Sequence, residues 1–138
     1  MRNLLSTLGA LAFMVAGLTA AHAEGAIALG VPNNIAKDGV AIGVAASMPS
    51  QSAAAAEALK QCRSADASAA VRSLCKVVQS FSGKCVAVAV DPRQGTPGFG
   101  WAVTFTESGA RGEAVYKCQL ASGEGGNSCR ATGSECDQ

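Results

Sequence analysis

Six cysteines, Cys62, Cys75, Cys85, Cys118, Cys129 and Cys136, are the residues of this chain best suited to chemistry. Thiolates hold zinc, paired thiols oxidise to disulfides, and a thiol of lowered pKa is a nucleophile. Zinc fits poorly: no Cys-x-x-Cys spacing occurs, and the one histidine, His22, precedes every cysteine. A reactive free thiol would need an odd cysteine or an electropositive Cys-x-x-Cys, and neither is present. An even number of cysteines in a small exported chain reads as a disulfide framework.

The other groups capable of chemistry are weaker. Ser73-Leu74-Cys75-Lys76 matches the Ser-x-x-Lys spacing in which a lysine activates a serine, but the accompanying Ser-Asp-Asn and Lys-Thr-Gly motifs are absent. Glu107 and Glu113 could act as an acid and base pair, yet six residues apart they do not share a helix face. Gly95-Thr96-Pro97-Gly98-Phe99-Gly100 suggests a phosphate-cradling loop, but its glycine order is wrong and a strand follows it, so it reads as a hairpin turn. No catalytic residue, metal site or cofactor is assigned.

Export explains the oxidised cysteines. Met1-Arg2 is a short positive start, Leu4 to Ala20 is mostly apolar, and Ala21-His22-Ala23 fits a small-x-small cleavage site. Residues 1–23 are therefore expected to be a signal peptide, which takes His22 with it. The apolar stretch is shorter than the ~20 residues a bilayer span requires, so no stable membrane insertion is expected after cleavage. The mature chain from Glu24 is placed in the periplasm or outside the cell. With Arg2 gone, the eleven basic residues fall to ten and equal the ten acidic ones. A balanced surface of this kind argues against nucleic acid as a partner.

Residues 24–138 are read as one domain built from two copies, the first about 25–82 and the second about 85–136. Placing Glu57 on Glu113 sets Ala54, Ala58, Leu59 and Cys62 on Ala110, Ala114, Val115 and Cys118 without a gap. In each copy the apolar positions form one stripe of a helix. Ser50 or Ser52 is expected to cap the first helix and Ser108 the second. Two strand-like runs precede each helix: Ala26–Leu29 and Val40–Ala45, then Val86–Val90 and Phe99–Phe105. Turn-forming stretches separate them, Pro32-Asn33-Asn34 with Lys37-Asp38-Gly39 in one copy and Asp91-Pro92 to Gly98 in the other. A cysteine-led strand follows each helix, Cys75-Lys76-Val77-Val78 being the clearer. The fold class is α+β: two ββα(β) repeats in a single small domain, a largely antiparallel sheet with helices on one face.

The repeat also assigns the disulfides. Equivalent cysteines favour equivalent bonds, which gives Cys62–Cys75 and Cys118–Cys129, and Cys85–Cys136 follows by subtraction. Hydrophobic residues make up 49% of the chain, but many are alanine and valine, so the core buries little area per residue and needs these staples.

The paired runs Gly25-Ala26-Ile27-Ala28 and Cys85-Val86-Ala87-Val88 are each followed by a glycine-containing strand. A Glu-Ala helix ending in cysteine comes next, and then a further cysteine strand. This order resembles the small exported bacterial proteins of domain-of-unknown-function family forty-one eighty-nine, over about residues 25 to 136. Where such proteins carry aromatics near the second strand of the first half, this chain has Ile42-Gly43-Val44. The resemblance implies export, duplication and disulfides, and brings no activity or catalytic residues.

The large aromatics gather in the second copy. Phe99, Trp101 and Phe105 alternate along one strand, and Tyr116 lies on the helix after it. Facing the helix they are core; left open they would anchor a protein or glycan partner. The function read from the sequence is a non-enzymatic, disulfide-stabilised protein-binding module, an inhibitor or effector-like factor at the cell envelope. The rival is a small envelope-acting hydrolase using Glu107 and Glu113, or Ser73 with Lys76.

Overall fold

The computed structural model describes residues 22–123 and 126–137. All of the leader expected over 1–23 except His22 and Ala23 lies outside the described residues. In chain order the elements are β1 (Glu24–Gly30), α1 (Ile35–Asp38), β2 (Ala41–Met48), α2 (Gln51–Ser64), α3 (Ala69–Arg72) and β3 (Lys76–Phe81). The second half follows with β4 (Cys85–Val90), β5 (Phe99–Thr104), α4 (Glu107–Ser122), a single 3-10 turn at Gly126–Ser128 and β6 (Arg130–Cys136).

The α+β class, the antiparallel pairing and the ββα(β) order are those of the sequence reading. The strands divide into two three-stranded sheets, ordered β2-β1-β3 and β5-β4-β6. In each half the first strand is central, the second pairs with it as a hairpin, and the third returns antiparallel to it on the other side.

A size alternation in the strands produces this layering. On β1, Ala26 and Ala28 turn towards α2, where Ala54, Ala58 and Cys62 recur at every fourth position. On β4, Cys85, Ala87 and Ala89 turn towards Ala110, Ala114 and Cys118 of α4. Alanine on both surfaces lets each helix lie close to its sheet. The intervening positions carry the large residues, Ile27 and Leu29 on β1 and Val86 and Val88 on β4. These meet in a third cluster between the two sheets. Each helix thus covers one face of its own sheet, and the other faces pack on one another.

Local signals set the element ends. Ser50 caps α2, its hydroxyl accepting from the Ala53 N–H at 3.2 Å. The cap of α4 is Thr106 and not Ser108: Thr106 Oγ1 accepts from the Gly109 N–H at 3.1 Å, so the helix begins at Glu107. Glu107 then sits in the first turn, where the helix dipole favours a negative charge. The stretch read as a turn after Pro32 contains the single helical turn α1, capped by Asn34. At the chain end, Asp137 is buried; its Oδ2 accepts from the Gly83 N–H at 3.3 Å, which ties the end of β6 to the β3–β4 turn.

The disulfides are Cys62–Cys75, Cys85–Cys136 and Cys118–Cys129, the pairs that the repeat assigns. The first and last fasten each helix to the approach of its returning strand. Cys85–Cys136 joins registered neighbours on β4 and β6.

Candidate functional site

Of the residues weighed for hydrolysis, Ser73, Glu107 and Glu113 are engaged in local contacts, and Lys76 stands apart from the two glutamates. Ser73 Oγ donates to the Ala70 carbonyl at 2.6 Å, closing the end of α3. Lys76 begins β3 and is exposed. Glu107 accepts from Ser134 Oγ at 2.6 Å and lies 4.0 Å from Arg111 Nη1, while Glu113 pairs with Lys117 Nζ at 2.9 Å. Glu57, the counterpart of Glu113, takes hydrogen bonds from Gln61 and Lys60 that hold its carboxyl below the ordinary value. These contacts tie helix charges to their own helix or to β6.

The four aromatics lie on different sides of sheet β5-β4-β6. Phe99 and Trp101 turn inwards and are half-buried against the other sheet. Lys117 Nζ stands 5.8 Å from the Trp101 ring centre and donates to its backbone carbonyl at 3.3 Å. Strand β5 ends at Thr104, so Phe105 leaves the alternation and is 75% exposed, with Lys84 Nζ 5.0 Å from its ring centre. Tyr116 is exposed on α4, the layer across the sheet from Phe99 and Trp101. Phe99 and Trp101 are largely interior, and Phe105 and Tyr116 are outer-surface residues.

The inter-sheet layer is filled unevenly. At the β3 and β5 edge, Val78 and Phe81 meet Phe99, Trp101 and Val103. At the opposite edge, Ile42 and Val44 of β2 face β6. The residues that β6 presents there are set by its register: Glu135 pairs with Val86 and Gly133 with Val88, so both share the inward face of those valines. Gly133 supplies no side chain and Glu135 supplies a charged one. The result is an open cleft of about 360 Å³, walled by Ile42 and Val44, floored by Val86 and Val88, and rimmed by Thr132 and Glu135. Glu135 has no ion-pair partner among the described residues; it is exposed at the cleft rim, and the neighbouring apolar walls remove enough of its water to raise its carboxyl above the ordinary value of 4.5.

The two strands that line this cleft are both sheet edges. Among the described residues, β2 pairs only with β1, and β6 only with β4. The cleft is thus bordered by edge strands, with an apolar interior and one carboxylate that has no ion pair among the described residues. On β2 the Val44 N–H already donates to Gln61 Oε1 at 3.3 Å. The sequence reading passed over Gly133 and Glu135 because the shift in register between Val88 and Ala89 decides which β6 residues face inward.

A second concavity lies where the β1–β2 and β4–β5 connections meet. It is lined by Lys37 and Gly39 from one half and by Asp91, Arg93, Gln94 and Thr96 from the other. Asp91 follows β4 with its side chain fully buried. Arg93 Nε donates to Asp91 Oδ1 at 3.0 Å and Nη2 to Oδ2 at 2.6 Å. The loop read as a hairpin turn is one, and it also forms a wall of this concavity.

The fold and these concavities define a disulfide-stapled α+β domain of two similar halves. The chain belongs to the family described as Domain of unknown function (DUF4189), whose model matches residues 25–136. No curated protein and no solved structure matches the chain.

Proposed function

We propose that the mature chain is an exported, non-enzymatic binding module for another protein, an inhibitor or effector-like factor of the cell envelope. The observation that carries this reading is the cleft between the edge strands β2 and β6. An extended segment of a partner pairs with a free strand edge through its main chain and places alternate side chains into an adjoining pocket. The cleft lies beside such edges, and the half-buried Ile42 and Val44 of its wall supply apolar area that such a side chain would bury.

The scaffold suits work outside the cytoplasm. Its three disulfides form and persist in oxidising compartments. No described helix is long and apolar enough to cross a membrane. Balanced charge fits a protein partner better than nucleic acid.

Site-specific photocrosslinking tests the reading. A benzoylphenylalanine at Thr132, on the cleft rim, should capture one envelope or host protein. Excess unlabelled protein should compete the adduct away, and its mass should map to one extended segment. The same probe at Leu120, exposed on α4, serves as the control. No competable adduct from Thr132, or identical adducts from both positions, would reject the cleft as the binding surface.

A further inference from the structure

The concavity between the β1–β2 and β4–β5 connections has a chemistry of its own, independent of the β2–β6 cleft. Its volume is about 530 Å³, within the range of small-molecule sites. Its charged lining residues are Lys37, Arg93 and Asp91, and they are not equivalent.

Asp91 is occupied with holding Arg93. Its Oδ1 accepts from the Arg93 backbone N–H at 3.0 Å and from Nε at 3.0 Å. Its Oδ2 accepts from Nη2 at 2.6 Å and from Ser122 Oγ at 3.1 Å. Ser122 Oγ also lies 3.4 Å from Cys129 Sγ, so the carboxylate is braced against the Cys118–Cys129 staple. Gly98 leaves room for this arrangement, because a Cβ there would collide with Ser122 and Asp91. The buried carboxylate is saturated and directed inward.

Arg93 is directed the other way. Its side chain is 44% exposed, and Nη1 makes no hydrogen bond among the described residues. A guanidinium fixed on one edge and open on the other is pre-organised to grip a planar or tetrahedral oxyanion. Lys37, brought from the other half by α1, lines the same space, and its ammonium has no partner among the described residues. Asp91 cancels one of the two positive charges, so Lys37 supplies the net attraction. With one net positive charge to offer, the site is expected to bind weakly, near the millimolar level.

We propose that this concavity binds a small molecule through its oxyanion group, a carboxylate or a phosphate, gripped by Arg93 with Lys37 as the second charge. The sequence had marked the Gly95–Gly100 run as a poor phosphate cradle because no helix N-terminus follows it. Here two cationic side chains take the place of backbone amides, and the loop only shapes the wall.

The test is an NMR titration of the oxidised mature protein with inorganic phosphate and, separately, with D-galacturonate, each against sodium chloride at matched ionic strength. Saturable shifts of the Lys37, Gly95 and Thr96 amides are expected with at least one probe, and which probe acts distinguishes a phosphate from a carboxylate ligand. Arg93→Gln should weaken binding by ~10-fold or more through loss of a charged hydrogen bond. That variant also strands buried Asp91, so Lys37→Gln, which breaks no side-chain contact, provides the decisive arm with an expected loss of ~3-fold. Shifts that chloride reproduces, no saturation with either probe, or unchanged affinity in Lys37→Gln would each overturn the proposal.

Discussion

Gly43 and Gly100 occupy matching places in the two halves. Gly43, on β2, lies directly beneath α2, where a Cβ would strike the Ala58 carbonyl and the Cys62 N–H. Gly100, on β5, lies beneath α4, where a Cβ would strike the Ala114 carbonyl and the Cys118 N–H. Backbone cannot rotate away as a side chain can, so the helix would have to lift off its sheet. Overpacking of this kind costs ~1–3 kcal/mol. Gly43→Ala and Gly100→Ala are each expected to lower thermal stability at the upper end of that range. Scanning calorimetry of the oxidised variants checks this; an unchanged Tm in both would mean that the helices sit farther from the sheets.

The three disulfides should differ in weight. Cys62–Cys75 and Cys118–Cys129 span separations of 13 and 11 residues, and Cys85–Cys136 spans 51. In the chain-entropy account, closing the short loops stabilises by ~3 kcal/mol each and closing the long one by ~4 kcal/mol. Replacing Cys85 and Cys136 together by alanine should therefore lower stability most. Denaturant titration of the three double-alanine variants gives the order, and a non-reducing peptide map of the parent protein checks the pairing.

Periodicity and repetition made much of this fold legible. The stripe Ala54, Ala58, Cys62 and its counterpart Ala110, Ala114, Cys118 defined both helices, because helical contacts are local and recur every turn. The partition into two sheets depends on pairing across long separations, which strand periodicity alone does not encode. A trace of it lies in Val86-Ala87-Val88-Ala89-Val90, where large and small residues alternate on a strand buried on both faces. The small face meets a helix and the large face meets the other sheet. Nothing comparable marked Asp91 and Arg93. Their pairing is local, but its burial under Ser122 depends on how α4 ends against the β4–β5 loop.

Asp91 and Glu135 should give opposite acid responses. Hydrogen bonds from Arg93 hold the Asp91 carboxyl far below its ordinary value of 3.8, outweighing the effect of its burial. A folded value below the unfolded one contributes stability that is complete above about pH 4 and is lost as the pH falls further. Glu135 is raised above 4.5 by loss of water at the cleft rim, so its ionisation opposes folding as the pH rises through that region. Asp91→Asn should thus be less stable than the parent at neutral pH, with the gap narrowing in acid. Glu135→Gln should be more stable than the parent at neutral pH, with that gap also closing in acid. Tm profiles from about pH 2 to about pH 7 read both; a gap that is independent of pH for either variant would remove that carboxylate from the account.

Gly133 offers the most direct test of the cleft. A strand glycine sacrifices backbone entropy and side-chain packing, at ~0.5–1 kcal/mol relative to alanine. A Cβ at Gly133 meets nothing within 4 Å, because the space it would enter is the cleft itself. Gly133→Val should fill the gap opposite Val88 and stabilise the fold by ~1 kcal/mol, a gain of several degrees in Tm for a domain of this size. If a partner side chain uses that space, the same variant should lose its crosslink from Thr132 while folding better than the parent. Stability and binding would then move in opposite directions, an outcome that damage to the fold cannot produce. A Gly133→Val protein that is more stable and still captures the partner from Thr132 would remove the cleft from the binding surface.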